Sequence, residues 1–278
     1  MDMKNNFGKD NIIMPNPFRA SDEACRIVAN NKGVTYQIQS IAARFQTDRD
    51  FVHSIMPPCY KVPEVPMATI TLGKVKTYGT QPIDLGYTYC DLAIIGFDCW
   101  YEDLPERAEY TPLVYFNQEA VIYSGREFLG EPKRFGETEL FLFDDHVSAS
   151  LVRFGQSIAS IEADLGSDLG KQEPDITYGA HLKCCLTHQQ NEMMYDPIAA
   201  VSRRISKPLH KRVGTGTLKL SGGYKDALDD IPVVGECSFE YLETLLSYVN
   251  DIPTKSWPNR EDFMPFYLGT CQNYVRHI

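Results

Sequence analysis

No stretch of this 278-residue chain stays apolar for long. The longest clean run is Leu92–Phe97, six residues, against the roughly 20 that a membrane helix requires. No membrane association is expected. The opening residues, MDMKNNFGKDN, lack the apolar segment of a secretory leader, so the expected location is cytoplasmic. Positive charge is in short supply: 27 Lys and Arg face 37 Asp and Glu, for a net charge of −10. Such a surface repels a phosphate backbone, and nucleic acid is not an expected partner. The glycine patterns that cradle phosphates are missing, and Gly214-Thr215-Gly216 reads as a turn or bulge. There is no G-x-S-x-G elbow. The six histidines show no H-E-x-x-H or H-x-H spacing, so neither a metal nor another cofactor is expected. C-x-x-C is absent as well. The eight cysteines, in a chain this long with no export signal, read as reduced and mostly buried thiols.

What is present is β-forming sequence. Sixteen tyrosines and fourteen phenylalanines fit a β-rich core better than an aromatic cofactor pocket. Thr35–Phe45, Val65–Leu72, Ile83–Phe97, Leu113–Ile122, Leu140–Phe143 and Val147–Phe154 are rich in β-branched and aromatic residues and predict strands. Further strands are expected at His181–Leu186, Ala199–Ile205 and Thr215–Leu220, after an acidic surface loop over 162–178. Two helices are predicted. One runs over Asp48–Ile55, capped by Asp48 and stopped by Pro57-Pro58. The other covers Phe239–Val249, with Leu242, Leu245, Leu246 and Val249 on one face and Ser238 as its cap. Strands without regular β-α alternation argue against a doubly wound fold. The expected class is α+β: a mostly antiparallel β-sheet forming a barrel-like domain with few helices. Residues 1–30 read as an irregular N-terminal arm, 31–255 as the domain and 256–278 as a C-terminal extension.

The window that carries chemistry is Tyr123–Glu137, YSGREFLGEPKRFGE. Gly125 and Gly130 permit tight backbone geometry, and Pro132 constrains the chain just before Lys133. Lys133 is therefore presented from a fixed turn, with the cation Arg134 beside it. A lysine near a second cation, or taken out of water, has its ammonium form disfavoured. The free amine can then attack a ketone, and the protonated imine that results is an electron sink. On composition alone, Lys133-Arg134 would be a solvated basic pair in a surface turn.

Gly125-Arg126-Glu127 followed by Gly130-x-Pro132-Lys133 resembles the G-R-E…P-K motif of the acetoacetate decarboxylase-like superfamily. Three further segments are similar to that family in the same order. These are Phe45-Gln46-Thr47-Asp48 with Ile55-Met56-Pro57-Pro58, then Gly86-Tyr87-Thr88, then Ala227-Leu228-x-x-Ile231-Pro232-Val233. The resemblance spans roughly residues 35–250. It implies that Lys133 is the Schiff-base lysine and that Arg134 stands where the family often has a second lysine, acting as a fixed cation. Arg126 and Glu127 would form a paired strut beneath the loop or touch substrate. It also implies a homo-oligomer, with an isologous dimer as a common building block.

Three charged groups of the family's pocket are missing. The arginine upstream of Y-x-T-D is replaced by Tyr36-Gln37-Ile38-Gln39. Thr71 takes the place of a strand glutamate, and Thr88-Tyr89-Cys90 that of the glutamate in Y-T-E. Tyr89 is the expected substitute for proton transfer, unless it is a core tyrosine with a satisfied hydroxyl. Glu131, two residues before Lys133, is a further candidate. The expected activity is a Schiff-base lyase acting on a keto acid, most simply a carboxy-lyase that decarboxylates a β-keto acid through an imine on Lys133. Aldol, dehydration or cyclisation chemistry through the same imine is the alternative, and a non-catalytic ligand-binding protein is the third reading.

Overall fold

A computed structural model describes residues 35–78, 87–102, 104–188, 192–223 and 225–271. The expected N-terminal arm and the start of the Ile83–Phe97 segment lie outside them. Strand residues dominate. β1 (Thr35–Gln46), β2 (Met67–Tyr78), β3 (Tyr87–Cys99) and β4 (Ala108–Phe116) form an antiparallel meander. Helix α1 (Arg49–Ile55) sits between β1 and β2, and the Asp48 side chain accepts the Phe51 N–H at 2.8 Å. After β4 come the short helix α2 (Glu119–Ser124), a π-helical turn over Gly125–Leu129 and the three-residue β5 (Lys133–Phe135). β6 (Glu137–Phe143), β7 (His146–Arg153) and β8 (Gln156–Leu165) form a second meander. β9 (Asp175–Lys183), β10 (Ile198–Leu220), β11 (Val234–Val249), β12 (Lys255–Ser256) and helix α3 (Arg260–Cys271) complete the order.

β11 pairs with both β1 and β10, which closes a ring in the order β1-β2-β3-β4-β9-β10-β11. The β4–β9 and β4–β5 pairings are parallel; the other pairings are antiparallel. The second half of β10 leaves the ring to pair with β8, and β7 and β6 extend the sheet from there.

Side chains alternate between the two faces of each strand, and both faces of this sheet are apolar. Outside the ring, Ile41, Ala43 and Phe45 of β1, Ile70 and Leu72 of β2, and Ile95 and Phe97 of β3 join Val147, Leu151 and Ile161 of the second meander in the main core. Tyr36 and Ile38 of β1, Val75 of β2, Cys90, Leu92 and Ile94 of β3, and Val114 and Phe116 of β4 form a separate cluster. That cluster walls the ring's interior.

Several sequence expectations require correction. Phe239–Val249 is strand, not helix. The chain there is hydrogen-bonded on both edges, and its buried positions Phe239 and Tyr241 follow a period of two. The helical spacing of its leucines arises because both faces of β11 are covered. Leu113–Ile122 is strand only to Phe116 and then turns into α2. The loop over 162–178 shrinks to 166–174, because β8 runs through Leu165 and β9 begins at Asp175. Ala199–Ile205 and Thr215–Leu220 belong to one 23-residue strand, so Gly214-Thr215-Gly216 lies inside a strand. Helix α3 was not anticipated; its Phe263 is buried in the main core.

Candidate active site

The ring's interior holds a cavity of about 100 Å3 that opens to solvent. Its walls are largely apolar: Ile38, Val75, Leu92, Ile94, Val114, Phe116, Val121, Leu129 and Leu246 line it. The polar groups facing it include Lys133, Glu131, His181 and Arg204, with Tyr36, Tyr248 and Thr111.

Lys133 reaches this space because of the segment before it. The π-helical turn ends at Gly130, whose φ of 72° is left-handed and suits glycine. The Glu131 N–H donates to the Gly125 carbonyl at 3.1 Å. The Lys133 N–H donates back to the Glu131 carbonyl at 2.7 Å, closing a three-residue turn around Pro132. Lys133 then opens β5 beside Val114 of β4. Its side chain passes over Gly125: a Cβ there would lie 2.5 Å from both Lys133 Cδ and Cε. The glycine of the G-R-E motif is therefore space for the lysine. Lys133 is 9% exposed, and its Nζ sits 4.6 Å from the Phe116 ring centroid.

The three-residue turn brings Glu131 to the same side. Its Oε2 lies 2.7 Å from Lys133 Nζ, with both side chains buried. Burial pushes the Glu131 carboxyl upward, but Lys133, His181 and Arg204 outweigh it and hold the group below its ordinary value. His181, on β9, is buried, and its Nδ1 is 2.9 Å from Thr111 Oγ1. Burial pushes its imidazole down to about 4, against the pull of Glu131, so it is neutral at pH 7. Its Nε2 is 3.6 Å from Glu131 Oε1 and makes no hydrogen bond. Arg204, on β10, is also buried and donates from Nη1 to Glu109 Oε2 at 2.7 Å. The interior thus holds an amine against a carboxylate, with a neutral imidazole and a guanidinium nearby. No cluster of three metal-ligating side chains occurs among the described residues.

The family model for acetoacetate decarboxylase (ADC) matches residues 14–251. This chain belongs to the acetoacetate decarboxylase family. No curated protein sequence matches it, but solved structures share its fold. MppR, an enduracididine biosynthesis enzyme complexed with the condensation product of pyruvate and imidazole 4-carboxaldehyde, superposes with a TM-score of 0.65. The identity is 13%, covering 82% of this chain and 90% of MppR. An acetoacetate decarboxylase-like enzyme from Sphingomonas wittichii RW1 gives 0.58 at 15% identity, over 80% and 95% of the two chains. Acetoacetate decarboxylase from Legionella pneumophila subsp. pneumophila str. Philadelphia 1 gives 0.57 at 15%, over 78% and 85%.

Not every residue singled out from the acetoacetate decarboxylase resemblance reaches the cavity. Lys133 and Glu131 do. Arg134 leaves β5 on the opposite face, where its Nη1 is 3.3 Å from Asp226 and its Nη2 donates to the Gly269 carbonyl at 3.0 Å. Its charge is matched there, so it is not the cation expected beside the Lys133 amine. Arg126 donates to the Lys133 carbonyl at 3.3 Å and braces the loop, while Glu127 is exposed; the two do not form the expected pair. Tyr89 is 61% exposed, with the Lys76 ammonium 5.6 Å from its ring. Alternation on β3 puts its neighbour Cys90 in the cavity instead. Thr71 lies on the ring's inner face, paired with Ile94, but is not in the lining.

Sequence reasoning missed Arg204, His181, Tyr36 and Tyr248. Their signal was faint: a charged or aromatic residue on one face of a strand reveals its side only once the register is known.

Proposed function

We propose that the protein forms an imine between Lys133 and the ketone of a keto acid, and that its simplest outcome is loss of CO2 from a β-keto acid. The observation that carries this reading is the buried Lys133 amine, 2.7 Å from Glu131 in an apolar cavity. Transfer of one proton from Nζ to Oε2 converts the ion pair into an amine and a carboxylic acid. The amine attacks the ketone carbon, and Glu131 returns the proton to the departing hydroxyl, which leaves as water. In the iminium, the electrons of the bond to the carboxylate flow toward nitrogen. CO2 departs and an enamine remains. Protonation of its carbon and hydrolysis release the ketone and restore Lys133. The apolar walls exclude water from the charged intermediate, where the carboxylate of Glu131 is the compensating charge.

A second reading keeps the imine and adds the enamine to an aldehyde. It is supported by the condensation product of pyruvate bound in MppR. The two separate on one assay. 3-Oxobutanoate and 3-oxohexanoate labelled with 13C in the carboxyl group are incubated with wild type and Lys133→Met. Decarboxylation predicts labelled CO2 above the spontaneous rate from wild type alone. An imine without catalysed CO2 release, but with condensation of pyruvate and an aldehyde, would replace the first reading by the second.

A further inference from the structure

Two residues that line the cavity keep a buried nitrogen with no hydrogen-bond partner: Arg204 at Nε and His181 at Nε2. A buried donor left unpaired costs about 1–3 kcal/mol, so two at one place call for a partner that arrives from outside. They lie close together for reasons written in the β9–β10 ladder. Arg204 is opposite Thr177, and Ser202 is opposite Gly179. The Arg204 side chain runs back along β9, and its guanidinium rests on Gly179. A Cβ on Gly179 would come 2.5 Å from Nε and 2.6 Å from Cζ. Gly179 and His181 are two residues apart on the same face of β9, a step of about 7 Å. The imidazole accordingly feels the guanidinium.

The chemistry of the two groups agrees. Nδ1 of His181 is 2.9 Å from the Thr111 hydroxyl; when that hydroxyl donates, the ring proton sits on Nε2, on the side of Glu131 and without a hydrogen bond. Arg204 uses Nη1 for Glu109, which fixes one arm of the fork, and its Nε keeps no partner. A guanidinium edge beside an N–H suits a carboxylate, which offers two oxygens to two donors.

The geometry points to a carboxylate-binding subsite made of Arg204 and His181, which receives the acid group of the keto acid while Lys133 captures its carbonyl. This rests on the imine reading for the role of Lys133, but the subsite itself does not. It also supplies from β10 the cation that the Tyr36–Gln39 segment of β1 lacks. The apolar walls then face the remainder of the substrate, so the class is a keto acid with an aliphatic chain.

Butyrate tests the subsite without any imine chemistry, because it has no ketone. Wild type, Arg204→Met, Arg204→Lys, Gly179→Ala and Lys133→Met are titrated at pH 7 with butyrate and with butyramide, by calorimetry. Wild type is expected to bind butyrate at least tenfold more tightly than butyramide. Arg204→Met should weaken butyrate at least tenfold, Arg204→Lys less, and neither should change butyramide. Gly179→Ala, which alters no charge but displaces the guanidinium, should also weaken butyrate; it carries the test if Arg204→Met does not fold. The inference is overturned if wild type does not bind butyrate. It is also overturned if butyrate binds the Arg204 and Gly179 variants as it binds wild type, or if Lys133→Met alone abolishes binding. Failure of Lys133 to form an imine would leave these outcomes unchanged and count only against the proposed reaction.

Discussion

Gly125 and Lys133 compete for one volume, and the chain resolves the competition by leaving Gly125 without a side chain. Gly125→Ala would put a methyl group 2.5 Å from Lys133 Cδ and Cε. The amine must then leave its place against Glu131 and Phe116. The expected result is a loss of imine formation by about a hundredfold or more, the order seen when a reacting group is misplaced by about an ångström. Stability in urea should fall much less. Rates of imine formation in wild type and variant check this. At this scale the sequence was informative for Lys133, Glu131 and Gly125, because glycine and proline punctuation marks a constrained turn. It was uninformative for Arg204 and His181, which owe their place to strand register.

At the scale of elements, β5 is three residues long yet carries the reacting group, so something must hold it. On its outer face Asp226 accepts hydrogen bonds from Tyr115 at 2.8 Å, Arg153 at 2.6 Å and Arg134 at 3.3 Å. Asp226 is 2% exposed. The stretch after it, Ala227–Val233, is part of the family resemblance, and this network gives it a physical task. Replacing Asp226 by Ala removes the carboxylate that Arg134 and Arg153 share. Breaking such a buried network costs about 3–5 kcal/mol, and urea unfolding should show that loss. The same scale exposes where pattern reading fails. The β11 leucines lie at helical intervals, but a strand with both edges paired and both faces covered needs no strict alternation. The helix α1 was legible because Asp48 and Pro57-Pro58 bound it locally.

The whole molecule places one apolar face of the sheet on the main core and the other around the cavity. The predominance of strands could be read from β-branched and aromatic residues; the closure of the ring could not, since β1–β11 pairing joins residues about 200 positions apart. Burying His181 has a global consequence. Its folded value of about 4 lies below the ordinary value of about 6.5. Between these limits the unfolded chain binds a proton that the folded chain refuses. The contribution is therefore complete above pH 6.5 and is lost as pH falls toward 4, by on the order of 3 kcal/mol. Exposed His146 and His210 have raised values and act with the opposite sign, so the difference between wild type and His181→Gln isolates the effect. Urea unfolding at pH 7, 5.5 and 4.5 should show the gap between the two proteins closing with acid; a constant gap would mean that His181 takes up its proton alike in the folded and the unfolded chain. The central claim is that the amine at the heart of the ring takes up a ketone. Its most direct measurement is peptide mapping by mass spectrometry after borohydride reduction with a panel of 2-oxo and 3-oxo acids. The account predicts one reduced adduct, on Lys133, and none in Lys133→Met. An adduct on a different lysine, or none across the panel, would contradict it.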